Sequence, residues 1–302
     1  MEFRVLRYFL AIAREGGYTK AAQSLNVTQP TLSRQIKDLE AELGQPLFVR
    51  SAHAVTLTAA GYVLRKRAEE ILDMVGKTKA DFSSADDVAG DVYIGGGETQ
   101  GMRLIAAVIA DLRRDFPDIR FHLHSGNAED ITERLDKGLL DFGVLIQPTD
   151  LSKYASLSLP VKDIWGVLIN KSHPLARKKH VSPSDLTEIP LLCSKQLLQK
   201  READGFFKSL FGTDFEKTNI VATYNLLFNA ALMAERNVGC VLCLGGLVDT
   251  MAVENIAFRP LSPTVESGLD IVWKKGQIFS PAAVLFLNRL RETASFQQTI
   301  RA

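Results

Sequence analysis

Gln29, Thr31, Ser33, Arg34 and Lys37 fall within nine consecutive positions, and each ends in a hydrogen-bonding or cationic group. The apolar residues of the same helix, Leu32, Ile36 and Leu39, recur at spacings of four and three. That spacing puts the apolar set on one buried helical face and leaves the polar row outside. A helix presenting such a row can enter a DNA major groove when a second helix braces it. The bracing helix is legible just upstream. Ala21, Ala22 and Leu25 share a face, and the two alanines let another helix approach closely. Asn26 suits the left-handed backbone that ends a helix, Thr28 is a good N-cap, and Pro30 is tolerated in a first turn. Residues 18–40 therefore predict a helix-turn-helix.

Other candidate chemistry is weaker. Gly95-Gly-Gly-Glu-Thr-Gln-Gly101 follows a predicted strand and opens a helix. It lacks the Lys-Ser/Thr of a phosphate loop, and Gln100 stands where the dinucleotide pattern needs its last glycine. What remains is a helix N-terminus able to take an anion, or a plain turn. Cys240-Val-Leu-Cys243 matches Cys-x-x-Cys but lies in an apolar strand that sends its two thiols to opposite faces, so buried structural thiols are expected. His122 and His124 share a strand face with no Cys, Asp or Glu placed to complete a metal site. Gly-x-Ser-x-Gly, His-Glu-x-x-His and suitably spaced catalytic carboxylates are absent. The expectation is a protein that is not an enzyme and uses no cofactor or metal.

The elements that hold these residues fall into three stretches. In the first, residues 2–14 predict a helix with Phe3, Leu6, Phe9, Leu10 and Ala13 inward, ended by Gly16-Gly17. Residues 46–50 and 55–57 are extended and joined by 51–54, the β-hairpin wing of a winged helix, with Arg50 at its base within reach of a phosphate. Second, Thr58 caps a long helix running to about residue 83, in which Leu64, Ala68, Ile71, Val75, Thr78 and Phe82 recur at 4, 3, 4, 3 and 4. That heptad seam favours an intermolecular partner over packing on its own domain. Residues 83–87 read as a linker. In the third, from Gly90, predicted strands (91–94, 120–124, 139–146, 164–169, 190–193, 238–244, 256–260, 269–273) alternate with helical stretches (99–115, 127–137, 182–186, 199–211, 224–236, 280–295). Such alternation implies mostly parallel sheets with a ligand crevice at the strand C-termini.

The 302 residues suffice for two or three domains, and 46% hydrophobic with 24% charged residues is ordinary globular composition. Net charge is only +1, yet residues 1–67 carry ten Lys/Arg against five Asp/Glu, a surplus that suits a DNA-facing domain. Three cysteines make no disulfide framework. Arg4, Arg7 and Arg14 interrupt any signal-peptide pattern, and no apolar run reaches ~18 residues, so a cytoplasmic location without a membrane partner is expected.

Taken in register, Thr19-x-Ala21-Ala22-x-x-Leu25, Gln29-Pro-Thr-Leu-Ser-Arg-Gln-Ile36-x-x-Leu39-Glu40, Leu43-Gly44-x-x-Leu47-Phe48-x-Arg50 and Leu57-Thr58-x-x-Gly61 resemble the LysR-type transcriptional regulators. Leu135-x-x-Gly138-x-Leu140-Asp141 and His173-Pro-Leu-Ala176 are also similar to that family. The resemblance implies an α/β fold with an N-terminal all-α winged helix-turn-helix (1–57), a long dimerising linker helix (58–88) and an effector-binding domain (89–302). The last resembles a periplasmic binding protein of two α/β subdomains, here 89–161 with 267–302 and 162–266, crossing near Val161–Ile164 and Glu266–Leu269. Gln29, Pro30, Ser33 and Arg34 stand where the family contacts DNA. Thr31, Lys37 and Arg50 join them from the exposed helix face and the wing. Arg34 suits a guanine or a phosphate, and Ser33 and Lys37 suit phosphates. Effector-pocket walls are implied at Thr99, Gln100, Gln147, Thr149, Ser194, Lys195, Thr223 and Asn225. Two positions depart from the family: Gly17 replaces a polar helix cap, and Ala128 replaces a hydroxyl that helps bind the effector. Lys195 and the helix start at Thr99 favour a small organic anion. The implied partners are double-stranded promoter DNA, that effector, and further copies of the chain as a dimer and homotetramer. Residues 89–302 alone would also suit a solute-binding protein, against which the absent signal peptide and the N-terminal DNA-binding motif argue; an enzyme using the same cleft is the third possibility.

Overall fold

The structure is a computed structural model that describes residues 1–50, 55–81, 89–199, 210–212, 217–251 and 255–301. The expected wing tip (51–54), the linker (83–87) and most of the expected helix at 199–211 lie outside the described residues. The chain divides into two compact units, Met1–Phe82 and Ser83–Ala302.

The first unit contains α1 (Phe3–Glu15), α2 (Tyr18–Ser24), α3 (Gln29–Leu43), β1 (Phe48–Arg50), β2 (Val55–Leu57) and α4 (Ala59–Asp81). Its turns follow the sequence. Gly16, Asn26 and Gly44 all take left-handed backbone at helix ends. Gly17 sits at the N-cap of α2 in extended backbone. Thr28 occupies the N-cap of α3 but caps no backbone N–H, because its hydroxyl pairs with that of Thr31 at 2.8 Å. The buried residues of α1 are Val5, Leu6, Phe9, Ala11 and Ile12, with Leu10 and Ala13 packed against the same core; of the expected face only Phe3 turns out, at 55% exposed.

Thr58 caps α4 as expected, accepting the Gly61 N–H at 3.0 Å and donating to the Pro46 carbonyl at 2.7 Å. The heptad reading of α4 needs correction. Leu64 and Ala68 are buried in the core of their own unit, and Ile71 packs against that core. Apolar spacing alone does not distinguish a seam for a partner from a stripe that covers α1.

The second unit has two lobes. One sheet runs β4 (Ile119–Ser125), β3 (Gly90–Gly96), β5 (Phe142–Ile146), β11 (Glu266–Lys274), β6 (Tyr154–Asn170). The other continues from the far half of β6 through β9 (Cys240–Leu244) and β7 (Pro190–Ser194) to β8 (Asn219–Tyr224), with β10 (Ile256–Pro260) also on β6. β6 is thus one 17-residue strand shared by both lobes. It pairs with β11 as far as Ile164, across a bulge at Gly268/Leu269, and with β9 from Trp165. The sheets are mixed rather than mostly parallel: β3–β4, β3–β5, β7–β8 and β7–β9 run parallel, while every pair made by β6 or β11 is antiparallel.

α5 (Met102–Asp115) and α6 (Ala128–Asp136) follow β3 and β4 in the first lobe. In the second, α7 (Lys195–Gln199) follows β7, α8 (Leu227–Glu235) follows β8, and α9 (Pro281–Arg301) returns to the first lobe against α5. The helix signal at 182–186 is a 3-10 turn, Pro183–Leu186, closed by a Ser182/Asp185 capping box.

Candidate functional site

In the first unit, Leu32, Ile36 and Leu39 are buried to 2% exposure or less, which fixes the rotation of α3. Gln29, Pro30, Thr31, Arg34 and Lys37 are consequently exposed, and Ser33 is half-buried. Neither Arg34 nor Lys37 has an ion-pair partner among the described residues, so both charges are available to an external anion. Arg50 pairs with Val55 at the end of the hairpin next to the 51–54 connection rather than at its base, and its side chain lies outside the described residues. Glu40, which sequence reasoning used only as a motif letter, fastens the end of α3 to the wing. Its Oε1 accepts the backbone N–H of Leu47 at 2.7 Å and of Phe48 at 3.3 Å.

In the second unit the lobes flank a partly open cavity of about 100 Å³. Of the expected wall residues, Gln147, Ser194 and Asn225 line it. Gln147 is oriented by Asp270, to which its Nε2 donates at 2.8 Å, and Asn225 Oδ1 accepts the Leu226 N–H at 3.0 Å.

The other five are turned elsewhere. Thr99 is buried, with its Oγ1 donating to Asp163 and accepting the Gly101 N–H. Gln100 donates to the Gly246 carbonyl in the opposite lobe, and Thr149 donates to the Ile146 carbonyl at 2.8 Å. Lys195 and Thr223 are exposed and outside the lining. On β8 alternate residues face opposite ways, so Tyr224 enters the cavity where Thr223 was expected. Glu98, Asn127, Trp165 and Gln196 also line it and were missed. The two features that favoured an anion lie outside this lining: Lys195 is exposed, and the helix expected to open at Thr99 starts at Met102. Burial pushes the Asp163 carboxyl up, against the lowering effect of the hydrogen bonds from Thr99 and the Gln100 backbone.

Among the described residues, three hydrogen bonds cross the cleft away from the strand crossing, where Thr99–Asp163 and Trp165–Ser267 lie. Gln100 supplies one. In the second, the Glu98 carboxylate accepts the N–H of Leu227, the first residue of α8. In the third, Gln196 Oε1 accepts the N–H of Ala128, the first residue of α6, at 3.3 Å. Each lobe therefore places an acceptor side chain on a helix N-terminus of the other, where unsatisfied N–H groups and the helix dipole favour it.

Comparison with known proteins matches both units of the chain. Residues 3–62 match the family model of bacterial regulatory helix-turn-helix proteins of the lysR family, and residues 85–295 match the LysR substrate binding domain. The chain belongs to the LysR family of transcriptional regulators. It therefore carries a DNA-binding helix-turn-helix and an effector-binding domain. Among its LysR-type relatives, the Hca operon transcriptional activator HcaR of Escherichia coli (strain K12) is 29% identical over 293 residues, covering 97% of this chain and 98% of that protein. The HTH-type transcriptional regulator YwbI of Bacillus subtilis (strain 168) is 30% identical over 295 residues, 96% of each. The crystal structure of full-length CbnR complexed with its target DNA shares the fold, with a TM-score of 0.70 at 21% identity over 97% of this chain and 100% of that one. No described helix of this LysR-type regulator is long and apolar enough to cross a membrane.

Proposed function

We propose that this regulator binds double-stranded promoter DNA through Gln29, Pro30, Thr31, Ser33, Arg34 and Lys37, with Arg50 holding the backbone from the wing. The observation that carries this reading is the exposed row on α3 above the buried Leu32, Ile36 and Leu39. Such a row can read base edges while its cations hold phosphates. Residues 1–57 act as the DNA-binding domain, 58–88 as the dimerising helix and 89–302 as the effector domain. Tyr62 and Val63 on α4, 58% and 65% exposed, support pairing of two such helices, and dimers associate further into a homotetramer. The protein works in the cytoplasm and performs no catalysis. An effector in the cleft shifts DNA binding only as far as it binds one lobe arrangement better than the other.

The test is a gel shift of the full chain on its own upstream DNA. Arg34→Ala costs ~1–3 kcal/mol of binding if the contact is bidentate to a base. A folded Arg34→Ala variant that binds as tightly as the parent would remove Arg34 from the interface. A monomer by light scattering would remove the dimerising role of α4.

A further inference from the structure

We infer that the effector is a small organic cation, a protonated amine of a few carbons. The inference rests on reading the cleft as the effector site. Glu98 is the one formally charged side chain in the cavity lining among the described residues. One of its carboxylate oxygens accepts the Leu227 N–H, and this is its only hydrogen bond among the described residues. The second oxygen remains as an acceptor for a ligand. An anion entering the same space meets the opposite situation. The N–H groups of Leu227 and Ala128 that would receive it are already occupied by Glu98 and Gln196, and the Glu98 charge repels it.

The rest of the lining fits a cation. Trp165 and Tyr224 line the same cavity as Glu98. Aromatic residues beside a carboxylate are the surroundings in which an organic ammonium is held, by ion pairing and by attraction to ring faces. The polar ends of both aromatics are committed, Trp165 Nε1 donating to Ser267 at 2.8 Å and the Tyr224 hydroxyl to the Leu242 carbonyl at 2.7 Å, so neither competes for the ligand head. Size narrows the class. The cavity holds about 100 Å³, less than the ~150 Å³ that admits a benzene.

The probes are n-propylamine, n-butylamine and isobutylamine, with the carboxylates and alcohols of matching shape, titrated into the full-length protein by calorimetry and thermal shift. The expected result is saturable binding by at least one amine, none by its matching carboxylate, and weakening of the amine by about tenfold or more in Glu98→Gln. Glutamine still offers an oxygen to the Leu227 N–H, so this variant removes the charge and keeps the clasp. A carboxylate that binds the parent while the amines do not would overturn the inference. So would amine affinity unchanged in Glu98→Gln, or no binding by any amine. A gel shift on the same preparation without probe separates this failure from failure of the regulator reading, because DNA binding stands or falls independently of the amine.

Discussion

Glu40 Oε1 lies 2.7 Å from the backbone nitrogen of Leu47, tying the last turn of the recognition helix to the first strand of the wing. The same oxygen reaches the Phe48 nitrogen at 3.3 Å, so one carboxylate satisfies two backbone donors that enter the hairpin. Removing it leaves partly buried N–H groups without that acceptor. Glu40→Ala is expected to cost ~1–3 kcal/mol of stability and to weaken DNA binding by loosening the wing. Glu40→Gln, which keeps an acceptor oxygen, recovers most of the loss. Thermal melts and gel shifts of the two variants check this, and equal behaviour of Ala and Gln would remove the tether.

A Cβ at Gly61 would lie 2.2 Å from the Leu47 carbonyl oxygen and 2.9 Å from Leu57 Cδ2. The first clash is with backbone and is not relieved by a rotamer change, so α4 would have to lift off the hairpin. Gly61→Ala is expected to lower stability by ~1–3 kcal/mol despite its better helix propensity. Chemical denaturation of the full chain checks it, and a stabilised variant would contradict the close approach.

Asp163 supplies a pH prediction. Burial raises its folded-state pKa above the unfolded value, so its contribution is fully present below the ordinary carboxylate pKa and is lost as pH rises through the folded pKa. Asp163→Asn keeps an acceptor for Thr99 and carries no charge. It is expected to melt with the parent near pH 4 and above it near pH 7 (about a unit or more past a carboxylate's ordinary range). Melting curves that differ by the same amount at both pH values would reject this role.

The three cysteines are all buried. Burial pushes the Cys240 thiol up to about 11 and the Cys243 thiol up to about 12, so neither forms appreciable thiolate at neutral pH. Native protein is expected to resist alkylation by iodoacetamide near pH 8 (roughly the pKa of an unperturbed thiol) and to react fully once unfolded. Labelling at Cys240 or Cys243 in the native state, read by mass spectrometry, would show that these thiols open to solvent.

What was legible in the sequence was local. The two-helix unit, its left-handed stops at Gly16, Asn26 and Gly44, the cap at Thr58 and the polar row on α3 follow from side-chain spacing and backbone preference, which act within a few residues. The family was legible for the same reason, since its motif is carried by one contiguous stretch. The tertiary structure decided what depends on partners distant in the chain. Leu64 and Ala68 went to their own core rather than to a seam because α1 lies against them. Thr99 and Thr223 are outside the cavity lining, the first bonded to Asp163 and the second because strand alternation turned Tyr224 inward. The charge of the cavity was decided by Glu98, which meets Leu227 across 129 positions of chain. Periodicity predicts which face of an element is buried, but two elements that meet only on folding determine which groups face each other across a cleft.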